Sequence, residues 1–100
     1  MSQIEEALRP IVANPGVLGV LILSDAGIPL RWWKLDSKET VHYAAVITPL
    51  IDKARALVKN FDKDTTVPDF LRLIRLKSNQ HEILVTPEEE YSLVVIQGLS

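Results

Sequence analysis

The sequence contains no cysteine, which excludes disulfide bonds, thiolate zinc sites and thiol nucleophiles and is typical of a protein from a reducing compartment. It also lacks a large excess of either charge, because 11 basic and 13 acidic residues leave a net charge of only −2. Such a balance does not predict binding to nucleic acid. The longest apolar run, Val17 to Leu23, is broken by Gly19 and far shorter than the ~20 residues that cross a bilayer. We therefore expect no membrane insertion.

The length of 100 residues is that of one small domain, and 47% apolar residues are enough for a hydrophobic core. We find neither an internal repeat nor a linker-like segment. The sequence thus predicts a single domain over residues 1–100.

Apolar spacing in the N-terminal half predicts a helix followed by a hairpin. Residues 2–13 place Ile4, Leu8 and Ile11 on one helical stripe. Two apolar runs at 17–24 and 28–34 flank Asp25-Ala26-Gly27, a short connection typical of antiparallel strands. Basic residues interrupt the second run, which favours a position at the edge of a sheet.

A long helix follows, which we predict over residues 38–60. Asp36 and Glu39 have the spacing of a capping box, in which each residue satisfies a backbone N–H near the other. The apolar residues of this helix cover a wider arc than one sheet face needs. Pro49 lies opposite the arc, which we assign to the solvent side.

Three further strands, at 70–77, 81–86 and 91–97, complete the predicted order helix-strand-strand-helix-strand-strand-strand. The first and last strands of the chain are apolar at nearly every position, and such strands are covered on both faces. We therefore predict an α/β (α+β) fold in which a five-stranded antiparallel sheet carries one helix on each face.

No combination of residues predicts catalysis, a metal site or a cofactor. His81 and Glu82 are adjacent on a strand, so their side chains point to opposite faces and cannot act on one substrate. The run Glu88-Glu89-Glu90 is more typical of a solvated turn than of a cation site. We expect a protein that is not an enzyme.

The pair Trp32-Trp33 predicts a binding surface, because neighbouring strand residues point to opposite faces and a core readily takes one ring. Trp33 shares its face with Arg31, so Trp33 is expected to be the exposed ring. Arg31 and Trp33 are accordingly the predicted partner-binding residues, since an aromatic residue beside a cation is a frequent hot-spot composition. The alternative is that both rings pack under helix ends.

A dimer is predicted from two features that need cover. One is the exposed edge of an open sheet, and the other is the surplus apolar surface of the long helix. A two-fold homodimer that pairs helix with helix and strand with strand would cover both. The predicted interface comprises Val41, Ala44, Thr48 and Ile51.

Short motifs occur in a characteristic order along almost the whole chain. They are Gly16-Val17-x-Gly19, Gly27-Ile28-Pro29, Tyr43-Ala44, Lys53-Ala54-Arg55, Ile74-Arg75-x-Lys77-Ser78, His81-Glu82-Ile83 and Glu90-Tyr91-x-Leu93-x-Val95-Ile96-Gln97. In order and spacing the sequence resembles the roadblock-type dynein light chains. The resemblance implies a non-catalytic, homodimeric subunit of a dynein motor that binds the dynein intermediate chain in the cytoplasm or an axoneme, within the cytoskeleton.

The wider relatives of that family suggest a second function, because they include bacterial and lysosomal scaffolds that regulate small GTPases. A GTPase-regulating roadblock scaffold is therefore the alternative to the dynein light chain. A small hydrolase is a third and weaker alternative, since the sequence offers no nucleophile with a matching base.

Overall fold

The computed structural model describes residues 2–61 and 67–99. It confirms the predicted order of elements. The elements are α1 (Ser2–Ala13), β1 (Val17–Ser24), β2 (Pro29–Trp33), α2 (Ser37–Lys59), β3 (Ile74–Lys77), β4 (His81–Pro87) and β5 (Tyr91–Gly98). Within the described part of the chain, no helix is both long and apolar enough to span a membrane.

The five strands form one antiparallel sheet in the order β2-β1-β5-β4-β3. The two most apolar strands, β1 and β5, lie next to each other inside the sheet, where both of their faces are covered. The two edges are β2 and β3, each of which has a neighbour on one side only. The predicted edge position of β2 is confirmed.

The two helices cover opposite faces of the sheet, as predicted. Leu21 and Leu23 of β1 belong to the core cluster that includes Ala44 of α2. Val20 and Ile22 point the other way and pack in the cluster that includes Leu8 of α1. Alternate residues of one strand thus serve two cores. We call these two faces the α2 side and the α1 side of the sheet.

The predicted capping box begins α2. The Asp36 carboxylate accepts a hydrogen bond from the Glu39 backbone N–H at 2.7 Å, and the Asp36 backbone N–H donates to the Glu39 carboxylate at 3.0 Å. Reciprocal capping satisfies two backbone donors that a helix start leaves free. Pro49 is exposed, which confirms its assignment to the solvent side.

The turn between β1 and β2 is held by Ser24 and Gly27. The Ser24 hydroxyl accepts hydrogen bonds from the backbone N–H groups of Ala26 at 3.2 Å and Ile28 at 3.1 Å. Gly27 has a φ of 84°, a left-handed conformation that costs little only for glycine. Thr48 of α2 lies directly against Gly27, so this turn also fixes where the helix approaches the sheet.

The strand predicted over residues 70–77 is shorter in the structure, where β3 covers only Ile74–Lys77. Ile74 pairs with Val85, so extending the ladder backwards would bring residue 72 opposite Pro87. Proline has no N–H to donate to a ladder, and residues 88–90 beyond it form the turn to β5. The ladder ends at the pair Ile74–Val85, two residues before β4 itself ends at Pro87.

Candidate functional site

The strand dipeptide His81-Glu82 does not form an acid/base pair in the structure. His81 is exposed, whereas Glu82 is buried and points to the opposite face. Its carboxylate accepts a hydrogen bond from Arg75 Nε at 2.7 Å, so the group is committed to an ion pair. In the described ranges, no three carboxylate or imidazole groups lie close enough together to hold a metal ion.

The described surface also contains an open groove of about 800 Å³ between the end of α2 and the β4–β5 turn. Arg55 spans it, because its Nη2 donates to the Glu88 carbonyl at 3.1 Å. Lys59 and Arg72 line the groove together with acidic residues such as Glu89. Because charges of both signs line this open space, the groove shows no preference for one ligand charge.

The predicted dimer interface on α2 requires a correction. Ala44 and Ile51 are buried in the core of the same chain, against the sheet. Thr48 is half-buried against Gly27, and only Val41 of the four residues is well exposed. The stripe chosen from the sequence thus packs mostly on the protomer's own sheet, and Val41 is the one residue of the four that is widely open to a second chain.

The apolar surface that α2 leaves free is elsewhere on the helix. Val46 and Leu57 are 53% and 58% exposed, and Leu50 between them is half-buried. At about 100° per residue these three residues lie opposite Thr48 around the helix axis. Thr48 packs over the β1–β2 turn, so these three residues lie on the side of the helix that faces away from that turn. We call Val46, Leu50 and Leu57 the α2 flank.

The edge strand β3 presents a second apolar surface. Ile74 and Leu76 pair with Val85 and Ile83, which contribute to the core under α2, so they lie on the α2 side of the sheet. Leu76 is 47% exposed although it belongs to the same row as a partly buried core residue. The apolar row of β3 and the α2 flank therefore border the same side of the sheet.

The two sheet edges differ in how open they are to a further strand. The β2 edge contains Pro29, which lacks an N–H, and an irregularity in its pairing between Ile22 and Leu23 of β1. Prolines and bulges protect edges from pairing. The β3 edge is regular over all of its paired residues and contains no proline. The backbone groups of β3 are thus more regularly spaced for pairing with another strand than those of β2.

The predicted partner-binding residues lie at the other edge, on the α1 side of β2. Arg31 pairs with Ile22 and Trp33 with Val20, both of which face α1. Arg31 Nε lies 3.0 Å from the Glu5 carboxylate of α1, and both side chains remain partly exposed. A role of these two residues in partner binding stays a prediction.

The expectation that Trp33 is the exposed ring is wrong. Trp33 is half-buried and packs against the core cluster under α1, whereas Trp32 on the α2 side is 40% exposed. The sequence argument took Arg31 as the mark of an open face, but α1 covers that face and its Glu5 neutralises the cation. Trp32 instead continues a row of exposed apolar side chains that includes Ile28 and Leu30.

Comparison with known proteins identifies the family of this chain. The sequence matches the Roadblock/LC7 domain over residues 3–97. The chain belongs to the Roadblock/LC7 family. This finding confirms the family suggested by the sequence motifs, and the observed sheet with one helix on each face is the roadblock fold.

Three bacterial structures show this fold similarity. A Roadblock/LC7 domain from Streptomyces avermitilis is 20% identical with a TM-score of 0.73, and the match covers 84% of this chain and 68% of that one. MglB of Myxococcus xanthus is 12% identical with a TM-score of 0.79, covering 98% and 77%. The gliding protein MglB of Thermus thermophilus is 15% identical with a TM-score of 0.76, covering 97% and 72%. At these identities the similarity concerns the fold.

Proposed function

We propose that this roadblock chain is a non-catalytic scaffold that acts as a homodimer and regulates a small GTPase. The observation that carries this proposal is the similarity in fold to the three bacterial structures named above, two of which are MglB proteins. Bacterial members are the branch of the family for which the sequence resemblance implied GTPase regulation. The proposal implies that the protein works in the cytoplasm.

We infer a dimer through two surfaces on the α2 side of the sheet, the apolar row along the β3 edge and the α2 flank. Pairing β3 with β3 of a second copy would join the two sheets and provide partners for the free backbone groups of both edges. The same two-fold axis would bring the two α2 flanks together and cover Val46 and Leu57. This arrangement keeps the predicted pairing of strand with strand and helix with helix, but with different residues of α2.

A matched pair of substitutions tests this dimer. Leu76→Glu would place a carboxylate at the apolar row of β3 and should shift the protein to monomer, because burying an unpaired charge costs several kcal/mol. Leu30→Glu is the control, since Leu30 has a similar exposure of 41% but lies on the opposite edge. Light scattering at micromolar concentration should give twice the chain mass for the control and one chain mass for Leu76→Glu. A monomeric unsubstituted chain, or equal masses for both variants, would contradict the proposed interface.

The geometry of His81 and Glu82 favours a scaffold over an acid/base catalyst. Their side chains diverge, because His81 is exposed while the buried Glu82 carboxylate is paired with Arg75. A regulator of this kind acts by binding a GTPase and stabilising one of its conformations. We therefore expect no hydrolysis of GTP or ATP by the purified protein alone.

The dynein light chain is the competing proposal, and it rests on the sequence motifs, since none of the three structures named above is a dynein subunit. One experiment separates the two. The full chain, immobilised and exposed to lysate of its source cell with GDP or a non-hydrolysable GTP analogue, should retain a small GTPase in a nucleotide-dependent manner. The purified GTPase should then show a changed rate of hydrolysis or nucleotide exchange when the chain is added. Retention of a dynein intermediate chain, with no GTPase, would overturn the proposal in favour of the motor subunit.

A further inference from the structure

The two rows of side chains on β3 differ in charge. Ile74 and Leu76 form the apolar row on the α2 side of the sheet. Arg75 and Lys77 form the other row, on the α1 side, and both are exposed. The strand has four residues, and the two that face the α1 side are both basic. Any strand that pairs with this edge must place side chains beside these two cations.

The protomer compensates only one of the two cations. Glu82 lies across from Lys77 in the ladder, but its carboxylate accepts a hydrogen bond from Arg75 Nε at 2.7 Å. Among the described residues, Lys77 makes no ion pair. Two cations and one carboxylate leave this end of the α1 side with one excess positive charge per chain.

Self-pairing brings these charges together. Residues opposite each other in antiparallel strands point to the same face of the sheet. If both α2 helices lie on one side, the two-fold axis must therefore pass midway between a residue of β3 and the same residue of the second copy. If Leu76 lies opposite Leu76 of the second copy, Arg75 of each copy lies opposite Lys77 of the other copy. An axis through Arg75 or Lys77 sets that cation opposite itself. An axis through Ile74 would recruit residues 71–73, which lie outside β3.

We propose that β3 selects its partner by charge, and that its preferred occupant is the corresponding strand of another roadblock-type chain with carboxylates at one or both of the positions of Arg75 and Lys77. This inference rests on the proposed dimer interface: the β3 edge joins two copies of this chain, and it joins an acidic strand more tightly. A second copy of this chain would pair its apolar row with that of β3 but would place cations beside cations. An acidic strand would form the same apolar contacts and would place carboxylates beside the cations. Opposed like charges weaken antiparallel pairing, and opposite charges strengthen it.

The test substitutes Lys77, because this side chain is exposed and forms none of the ion pairs found among the described residues, so that Arg75 and Glu82 themselves stay unsubstituted. Lys77→Glu converts the chain into a model of the acidic partner, and Lys77→Gln removes the cation without adding an anion. Lys38→Glu is the matched control, since Lys38 is an exposed lysine at the start of α2, away from β3. Dissociation constants are measured for each variant with the labelled unsubstituted chain, at low and high salt, after thermal melting has shown that each variant is folded.

The mixed dimer with Lys77→Glu should form about three- to tenfold more tightly than the unsubstituted homodimer, given the usual size of cross-strand charge pairs. Lys77→Gln should give an intermediate value, and the gain should shrink at high salt because exposed charges are screened. Lys38→Glu should leave the constant unchanged. If dimers form with equal constants for all variants, charge selection is refuted while the dimer stands. If neither the unsubstituted chain nor any mixture dimerises, both proposals fail.

Discussion

Replacing Gly27 with alanine tests the contact that sets α2 on the sheet. Gly27 has a φ of 84°, and a Cβ atom built on it would lie 2.6 Å from Thr48 Oγ1, 2.7 Å from Thr48 Cγ2 and 3.1 Å from Thr48 Cβ. Two separate costs follow. One is the left-handed conformation of a residue with a Cβ, and the other is the collision with the helix.

The two costs are of similar size. Holding an L-residue in the left-handed region costs about 1–2 kcal/mol. Overpacking a filled site costs about 1–3 kcal/mol. Restriction of the unfolded chain by alanine returns about 0.4–1 kcal/mol. We therefore expect Gly27→Ala to lower the free energy of unfolding by about 2–4 kcal/mol, which leaves a 100-residue domain folded in many cases.

Substituting Thr48 as well separates the steric cost from the backbone cost. Thr48→Ala removes Oγ1 and Cγ2, the two closest atoms, and by itself should cost little because Oγ1 is buried without a hydrogen-bond partner. Denaturant unfolding of the single and double variants gives a double-mutant cycle, in which Thr48→Ala should restore about 1–2 kcal/mol to Gly27→Ala. Additive effects, or a loss under about 0.5 kcal/mol for Gly27→Ala, would refute the close approach of helix and turn.

Two further substitutions examine other buried positions. Thr40 is 1% exposed and its hydroxyl is buried without a hydrogen-bond partner, so Thr40→Val should raise the free energy of unfolding by about 1 kcal/mol in urea titrations; a loss of stability would mean that the hydroxyl has a partner. Trp33→Ala should lower stability by about 3 kcal/mol because the ring packs under α1, whereas Trp32→Ala should cost under about 1 kcal/mol. Melting curves that reverse this order would show that the two rings are placed wrongly. Affinity for a captured partner, measured on the same variants, decides whether Trp33 or Trp32 binds it.

Local features of the sequence were sufficient to predict the elements and their order. The capping box at Asp36 and Glu39 begins α2 through contacts within four residues, so no distant part of the chain is needed. Strands that are apolar on both faces are stable only inside a sheet covered on both sides, which placed β1 and β5 correctly. The β1–β2 connection was likewise predictable, because Gly27 adopts the positive φ that the turn requires.

The rotation of α2 about its own axis was decided only by the tertiary structure. Its apolar residues extend around more than one face, so hydrophobic periodicity alone does not choose between a stripe through Ala44 and Ile51 and one through Val46 and Leu57. The contact of Thr48 with Gly27 makes that choice, because it turns Ala44 inward and leaves Val46 outside.

The exposure of the two tryptophans was decided in the same way. Strand alternation determines that Trp32 and Trp33 face opposite sides of the sheet, and this follows from the sequence. Which side is covered depends on where the helices lie over the edge strand. Trp33 is covered because α1 lies near enough for Glu5 to reach Arg31, and Trp32 stays exposed at the margin of the α2 side. A periodic pattern sets the direction of a side chain, but only packing between elements far apart in sequence determines what it meets there.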